Sequence, residues 1–343
     1  MTSSTSVSES TARSWRRWLV IFCAAFFGVG GLFYVLLLLI DPYDTGRFPS
    51  FGIQGIGDRS SRTAVISRGR DPRFNAAIVG NSTGQLLNPY RLSAATGLKF
   101  TQLSIPQLGP REELAIMRWV VSHHASYGAL IVVADASWCS SDPDLQVVYP
   151  FPFWLYRGDL EYLANVLKPK ALDRAVWRIG VALGLMQPAD PVAYSDYYLG
   201  GESYTFHPGP RRPPDDEGAA EWPPKFPWID QLHSVLAALP ADAAAVVLMP
   251  PVHYSMLPTP GSPQAVLIDA CKSALANAVA GRSRGGFLDL RVDDAEAHDT
   301  EHFFDRVHYR GPLVTWVEDR ISALLRGGEA RADRAAAALT GTR

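Results

Sequence analysis

Two short motifs, far apart in the chain, carry side chains that together could perform nucleophilic chemistry. Ser82 stands in the segment GNSTG (residues 80–84), directly after an apolar run, and Asp305 and His308 stand three residues apart near the other end. A serine at a sharp turn after a strand exposes its hydroxyl, and flanking glycines permit the turn. Because a serine needs a base, and the base needs an orienting acid, we expect Ser82 as nucleophile, His308 as base and Asp305 as acid.

Each motif also has a simpler interpretation. Ser82 could cap the helix that is expected to follow it, with that helix's N-terminus behind the hydroxyl. An Asp-x-x-His pair by itself is usually structural. The combination favours chemistry, since both motifs fall where an α/β fold places its functional loops.

Five apolar runs predict buried strands, and helical patterns separate most of them. Helices are predicted to begin at Pro110, after Ser262 and near Pro312, where proline or a capping residue precedes an apolar stripe. This alternation predicts a three-layer α/β/α sandwich with a mostly parallel five-stranded sheet. Ligands bind such folds outside the carboxyl ends of the strands. The predicted strands are 75–79, 98–103, 129–134, 244–248 and 286–290.

An aromatic-rich insertion separates the third and fourth predicted strands. Residues 149–228 hold 15 of the 37 Phe, Trp and Tyr residues. The insertion, taken as residues 140–228, is expected to contain two helices, near 159–167 and 171–183. It is interpreted either as a helical subdomain with its own small core or as a lid whose aromatic rings stack on sugars.

Residues 18–40 form a charge-free apolar run that predicts a transmembrane anchor. As a helix they extend about 34 Å, enough to cross a bilayer core. Arg13, Arg16 and Arg17 precede the run, so the positive-inside rule predicts a single-pass inner-membrane protein with a cytoplasmic N-terminus and a periplasmic or otherwise extracytoplasmic main domain. A cleaved signal peptide and a twin-arginine signal are the alternatives, and the length of the apolar run disfavours both.

The segments follow from these patterns. They are a cytoplasmic tail (1–17), the anchor (18–40), a tether (41–73), the α/β domain (74–326, with the insertion) and a flexible tail (327–343).

The composition excludes several classes of function. A net charge of −2 and a pI near 6.4 argue against a nucleic-acid-binding protein. The three cysteines match no zinc-site spacing, and we expect no metal or cofactor. Cys271 lies on the apolar stripe of its helix, which favours a buried free thiol over a disulfide with Cys139.

The order of these motifs resembles the SGNH (GDSL-like) hydrolase superfamily. The resemblance rests on the serine turn after the first strand, Gly109 after the second, and Asp305-x-x-His308 before the last helix. It implies a serine nucleophile, acyl-ester chemistry and Gly109 as an oxyanion donor. The single anchor resembles a narrower group, the membrane-anchored proteins related to alginate O-acetyltransferases, which work beside membrane-bound O-acyltransferases.

The chain departs from the family pattern at two turns. Asn81 stands where the family has Asp, and the Gly-x-Asn-Asp block after the third strand is missing. Asp135 and Ser137 occupy that region, and an ionised Asp135 cannot donate a hydrogen bond to an oxyanion. Ser137 or a backbone N–H could take the donor role, or Asp135 could bind substrate.

Two further interpretations stay open. His253, after the fourth strand, is expected to face the crevice and bind substrate, or to be hydrogen-bonded within its loop. An α/β-hydrolase also uses a Gly-x-Ser turn, but there the serine follows several strands and the acid lies far from the histidine.

The sequence therefore predicts a membrane-anchored serine O-acyltransferase or esterase. Its expected substrate is a polysaccharide, either of the cell envelope or secreted, or another acyl ester. A membrane-bound O-acyltransferase is the possible partner. The alternative is a weak or inactive SGNH-like scaffold that binds glycan or that partner.

Overall fold

The structure of the protein is a computed structural model that describes residues 5–48, 55–56, 62–145, 147–195, 206–211 and 223–327. The chain divides into two compact units. The first comprises Met1–Gly57 and Gly158–Pro188, and the second comprises Asp58–Arg157 and Ala189–Arg343. The two helices predicted inside the insertion thus belong to the unit that contains the apolar N-terminal helix.

Ten α-helices and five strands are assigned in the described residues. The helices are α1 (Thr5–Ile40), α2 (Val65–Gly69), α3 (Pro89–Thr96), α4 (Pro110–His123), α5 (Asp159–Asn165), α6 (Pro169–Ala182), α7 (Pro227–Ala237), α8 (Pro263–Val279), α9 (Ala295–His298) and α10 (Pro312–Leu325). The strands are β1 (Ala76–Gly80), β2 (Phe100–Gln102), β3 (Ala129–Val133), β4 (Ala244–Met249) and β5 (Gly285–Asp289).

The five strands form one parallel sheet in the order β2-β1-β3-β4-β5, which confirms the predicted fold class. Side chains alternate across the sheet because successive residues of a strand point to opposite faces. In β1, Ala77 and Val79 pack with α4, α7 and α8, whereas Ala76 and Ile78 pack with α3 and α10. Two buried cores, one on each face, make the domain a three-layer α/β/α sandwich.

Three helices of the second unit, α4, α8 and α10, begin at the predicted residues. α4 begins at Pro110 and α10 at Pro312, each with proline in its first turn, where the missing N–H costs no hydrogen bond. Ser262 caps α8, since its hydroxyl accepts from the N–H of Ala265 at 3.2 Å. The capping and proline residues therefore determine the first residue of each helix and the length of the loop that precedes it.

The first unit contains the apolar helix and a buried ionic cluster at its end. Within the described residues, Ser14–Ile40 is the one helix long and apolar enough to cross a membrane. Just after it, Asp41 and Asp44 are buried, and the fully buried Arg178 of α6 lies 3.3 Å from Asp44. Arg178 also donates to the carbonyl of Ile40 at 3.1 Å. Part of the predicted tether is therefore packed within this unit.

Cys139 and Cys271 form a disulfide, so the expected free thiol at Cys271 is wrong. The apolar stripe of α8 faces the core, as predicted, and the short helical turn Ala136–Cys139 after β3 packs against the same stripe. Burial of Cys271 is thus what brings its Cα within 5.4 Å of that of Cys139, a separation that a disulfide requires. The bridge fastens the loop after β3 to α8.

Loss of this disulfide is expected to destabilise the second unit. The bridge closes a loop of 132 residues, and chain-entropy arguments assign about 3–5 kcal/mol to such a cross-link. Reduction, or replacement of both cysteines by alanine, should lower the denaturant midpoint of the full chain in detergent. Cys23→Ala is the control, because Cys23 is the free cysteine. An unchanged midpoint after reduction would contradict the bridge.

Candidate active site

Ser82 lies in a tight turn at the carboxyl end of β1. The strand ends at Gly80, and a single 3-10 turn, Gly84–Leu86, follows. The α-helix expected directly behind Ser82 is replaced by this single turn. The chain then becomes extended at Leu87, and α3 starts after Asn88, whose side chain caps it. Orientation of the Ser82 hydroxyl therefore depends on the turn itself.

The glycines of this turn are required by close packing against neighbouring strands. A Cβ on Gly80 would lie 2.8 Å from the Cβ of Val133 in β3. A Cβ on Gly84 would lie 2.5 Å from the hydroxyl of Ser104, which follows β2. Both distances are shorter than any unstrained contact, so the sequence needs glycine on each side of Ser82.

Gly84→Ala is expected to destabilise the protein by about 1–3 kcal/mol, since overpacking a buried site costs that much. Ser104 offers a specific rescue, because its buried hydroxyl makes no hydrogen bond to any described residue. The double variant Gly84→Ala/Ser104→Ala should regain much of the lost stability in chemical denaturation. Equal midpoints for the single and double variants would show that the hydroxyl is not the obstacle.

Asn81 ties the serine turn to the loop after β3. Its Oδ1 accepts from the N–H and the hydroxyl of Thr83, at 3.0 and 2.8 Å. Its Nδ2 donates to Asp135 Oδ2 at 2.5 Å. Asn81 thus fixes the turn from within and leaves the Ser82 hydroxyl available to another partner.

That partner comes from a loop between β5 and α10. Phe303 and Tyr309 are fully buried and form an antiparallel bridge that closes the loop holding Asp305 and His308. The hydroxyl of Tyr309 donates to the carbonyl of Thr83 at 3.2 Å. Because one end of the loop is bonded to the serine turn, the two motifs keep a fixed separation.

Ser82, His308 and Asp305 form one continuous chain of hydrogen bonds. His308 Nε2 lies 2.8 Å from Ser82 Oγ, and His308 Nδ1 lies 2.6 Å from Asp305 Oδ2. The other carboxylate oxygen, Asp305 Oδ1, accepts from the N–H groups of Val307 and His308, both at 2.8 Å. The three residues that the sequence singled out as a triad are therefore brought together.

The electrostatics of Asp305 assign the direction of each hydrogen bond. Burial raises the pKa of Asp305, but bonds from the His308 ring and from two backbone N–H groups outweigh burial, and the pKa lies below its ordinary value. An ionised carboxylate only accepts, so His308 Nδ1 carries the proton. In the neutral ring Nε2 then accepts from the Ser82 hydroxyl, which is the arrangement a general base needs.

The lowered pKa of Asp305 predicts a specific pH dependence of stability. The ionised form stabilises the fold fully above the unfolded pKa of about 3.9, and this contribution is lost as the pH falls through the lower folded pKa. The difference in free energy of unfolding between wild type and Asp305→Asn should be constant near neutrality and shrink below about pH 4. Asp242→Asn, at an exposed carboxylate, is the control. A difference that stays constant to pH 2 would contradict this prediction.

Ser82 opens onto a cavity of about 430 Å³ at the carboxyl edge of the sheet. This volume lies within the range of small-ligand sites. Apolar side chains from the loops after β3 and β4 line much of it. Its polar lining includes Asn81, Ser82, Gln107, Asp135, Ser137 and Arg291.

The candidate oxyanion donors differ in whether their N–H groups already donate a hydrogen bond within the protein. Gly109 lines the cavity, but its N–H donates to Glu112 Oε2 at 3.2 Å within the first turn of α4. The N–H of Ser137 donates to Asp135 Oδ1 at 2.9 Å, and its hydroxyl donates to the same oxygen. The backbone N–H of Ser82 makes no hydrogen bond to a described residue, so it is available to bind an oxyanion.

Asp135 is therefore an acceptor throughout, as its charge requires. It accepts from Asn81 on one side and from Ser137 on the other, and it lines the cavity. A carboxylate that only accepts hydrogen bonds cannot act as an oxyanion donor beside Ser82.

His253 is not among the residues that line the cavity, and it is hydrogen-bonded within its loop, which is the second of its two interpretations. Its ring is fully buried, with Nδ1 2.8 Å from the Ser255 hydroxyl and edge contacts to Phe206 and Phe303. Its N–H donates to the carbonyl of Arg306 at 3.0 Å. Although His253 follows β4, its side chain is buried in the core, and its backbone bond to Arg306 supports the loop that carries His308.

Arg291 is a cavity residue that was not predicted. It follows β5 by two residues, and only 8% of it is exposed. Its place at the carboxyl end of a strand is the same signal that pointed to Ser82 and Asp135. The sequence prediction for the region after β5 was limited to the Asp-x-x-His pair in the loop before α10.

Comparisons with known proteins leave the family open. No protein-family model matches the chain, and no curated protein matches it significantly. The parallel sheet with order 2-1-3-4-5 is compatible with an SGNH-like fold. Among the described residues, no group of three or more His, Cys, Asp or Glu side chains could hold a metal ion.

Proposed function

We propose that the protein is a membrane-anchored, SGNH-like serine O-acyltransferase or esterase that acts on a cell-envelope or secreted polysaccharide. The observation that supports this most is the continuous hydrogen-bond chain Ser82–His308–Asp305 at the edge of a ligand-sized cavity. A serine, a histidine and a carboxylate arranged in this way serve acyl transfer on several unrelated folds.

In the acylation step, Ser82 Oγ forms a bond to the acyl carbonyl carbon while its proton passes to His308 Nε2. The ionised Asp305 stabilises the imidazolium that forms. Collapse of the tetrahedral intermediate breaks the bond to the leaving oxygen, which takes the proton from His308. The products of this step are an ester on Ser82 and a free alcohol.

The second step reverses these roles. His308 removes a proton from the incoming hydroxyl, whose oxygen bonds to the acyl carbon. When the tetrahedral intermediate collapses, the bond to Ser82 Oγ breaks and Ser82 Oγ takes the proton from His308. A sugar hydroxyl gives O-acyl transfer, and water gives hydrolysis.

The tetrahedral intermediate carries a negative charge that the site must stabilise. The N–H of Ser82 is the available backbone donor, whereas the N–H of Gly109 has to leave Glu112 before it can contribute. Loss of one oxyanion donor costs about 10²–10³ in rate. With Asp135 in place of an amide, we expect a slower enzyme than one with a complete oxyanion hole.

The proposed location of the protein is supported by its N-terminal apolar helix and its disulfide. The apolar stretch of α1 fits an inner-membrane anchor with a cytoplasmic N-terminus, because arginines precede it. The Cys139–Cys271 disulfide fits an oxidising, extracytoplasmic compartment for the main domain. A membrane-bound O-acyltransferase that supplies acyl groups is the proposed partner.

The second candidate function is a non-catalytic scaffold that binds glycan or a membrane partner. The negative charge of Asp135 in the cavity and the occupied N–H of Gly109 favour it. This function needs the cavity but not the Ser82 hydroxyl, so removal of that hydroxyl separates the two candidates.

Ser82→Ala should abolish reaction with a fluorophosphonate probe and lower kcat/KM for an aryl acetate by about 10³-fold or more, because triad members act as a unit. The assay uses the full chain in detergent, with labelling followed by gel fluorescence. His308→Ala should fall to the same level, and combining the two substitutions should add little.

Ser141→Ala is the matched control, since it removes an exposed serine hydroxyl after β3. Its labelling and turnover should equal those of wild type. If wild type reacts no faster than Ser82→Ala with either reagent, the serine-enzyme proposal fails and the scaffold becomes the better account.

A further inference from the structure

Arg291 carries a buried positive charge into the cavity that Ser82 also lines. The residue is 8% exposed, and its backbone N–H donates to Asp289 Oδ1 at 3.1 Å. Nη2 donates to the carbonyl of Met256 at 3.2 Å, and Nε is buried without a hydrogen-bond partner. Most of the guanidinium donors are thus not engaged by the described residues.

The nearby carboxylates do not form an ion pair with this guanidinium. Asp289 lies 2.9 Å from Lys272 Nζ, and Asp135 accepts from Asn81 and Ser137. Within the described part of the chain, Arg291 contacts neither acid closely enough to form a salt bridge. Burial lowers the pKa of Arg291, and the charges of Asp135 and Asp289 offset part of that effect from a distance. Neither acid accepts a hydrogen bond from the guanidinium, so its unpaired buried N–H groups point to a ligand that supplies an anionic acceptor.

The geometry of the guanidinium indicates that the anion is a carboxylate. Its planar fork of N–H donors matches the two oxygens of a carboxylate. Burial strengthens such a contact, because the surrounding medium screens it less than water does.

Arg291 and Ser82 follow strands that are not neighbours in the sheet. β5 is separated from β1 by β3 and β4, which amounts to about 14 Å at the usual strand spacing. Arg291 and Ser82 therefore enter the same cavity from different strands of the sheet.

We propose that Arg291 is a specificity-determining residue that binds a carboxylate of the substrate, on the β5 side of the cavity. This inference rests on the proposed serine-ester chemistry and names the class of substrate: an ester that also carries a carboxylate. The carboxylate belongs either to the sugar, as in a uronic acid, or to the acyl chain, as in a dicarboxylic half-ester.

The kinetic test compares matched esters on the full chain in detergent. The substrates are an aryl acetate, an aryl hemisuccinate, and the O-acetylated methyl glycosides of glucose and of glucuronic acid. Wild type should prefer whichever carboxylate ester the site accepts, by about 10- to 100-fold in kcat/KM over its neutral counterpart, mainly through KM. Preference for the glucuronide assigns the carboxylate to the sugar, and preference for the hemisuccinate assigns it to the acyl chain.

Arg291→Met should remove this preference and leave the aryl acetate within about threefold of wild type, since a hydrophobic side chain of similar length keeps the packing. Arg291→Lys keeps the charge without the fork and should retain part of the preference. A similar fall in kcat on every ester, the neutral acetate included, would overturn the proposal, and so would a wild type without any preference.

A binding measurement separates this inference from the proposed catalysis. Calorimetric titration of Ser82→Ala with glucuronate and with succinate, each against glucose as the neutral probe, needs no turnover. Binding of one of the two anions that Arg291→Met abolishes supports the anion subsite even if no ester is cleaved. Absence of anion binding overturns the subsite even if Ser82 is confirmed as a nucleophile.

Discussion

The hydrogen bond between Ser82 Oγ and His308 Nε2 joins residues 226 positions apart, and the geometry of the site depends on it. It can form because all five strands of a parallel sheet end at one edge, which brings the turn after β1 beside the loop before α10. The buried pair Phe303 and Tyr309 closes that loop, and the Tyr309 hydroxyl fastens it to the serine turn. The sheet thus brings Ser82 and His308 close together, and the closed loop orients the His308 ring toward Ser82.

Charge in the cavity is distributed in a way that limits and directs the chemistry. Asp135 brings a carboxylate next to the nucleophile, where it is held by Asn81 and Ser137. Arg291 brings a cation to the same cavity. Under the proposed chemistry, a negative charge near Ser82 opposes an oxyanion, whereas a buried cation attracts an anionic substituent.

The fold was predictable from the sequence because its signals are local. The apolar runs predicted the ends of every strand to within two residues, and proline or serine marked the starts of α4, α8 and α10. The arrangement of Ser82, Asp305 and His308 was predictable because the serine turn directly follows a strand and the Asp-x-x-His pair lies in the loop before the last helix. The disulfide was not, since Cys271 shows the same apolar pattern as a buried free thiol. Arg291 was missed because a single arginine carries no motif, and its burial depends on contacts that form only in the folded domain.

The central claim is that Ser82 is an activated nucleophile, and capture of its acyl ester tests this most directly. The full chain would be mixed with an aryl acetate, quenched in acid and digested, and the peptide that contains Ser82 examined by mass spectrometry. The account predicts one acetyl group on Ser82 in wild type and none in His308→Ala, because the hydroxyl needs the histidine to react. An unmodified Ser82 in wild type, or equal modification in both proteins, would contradict it.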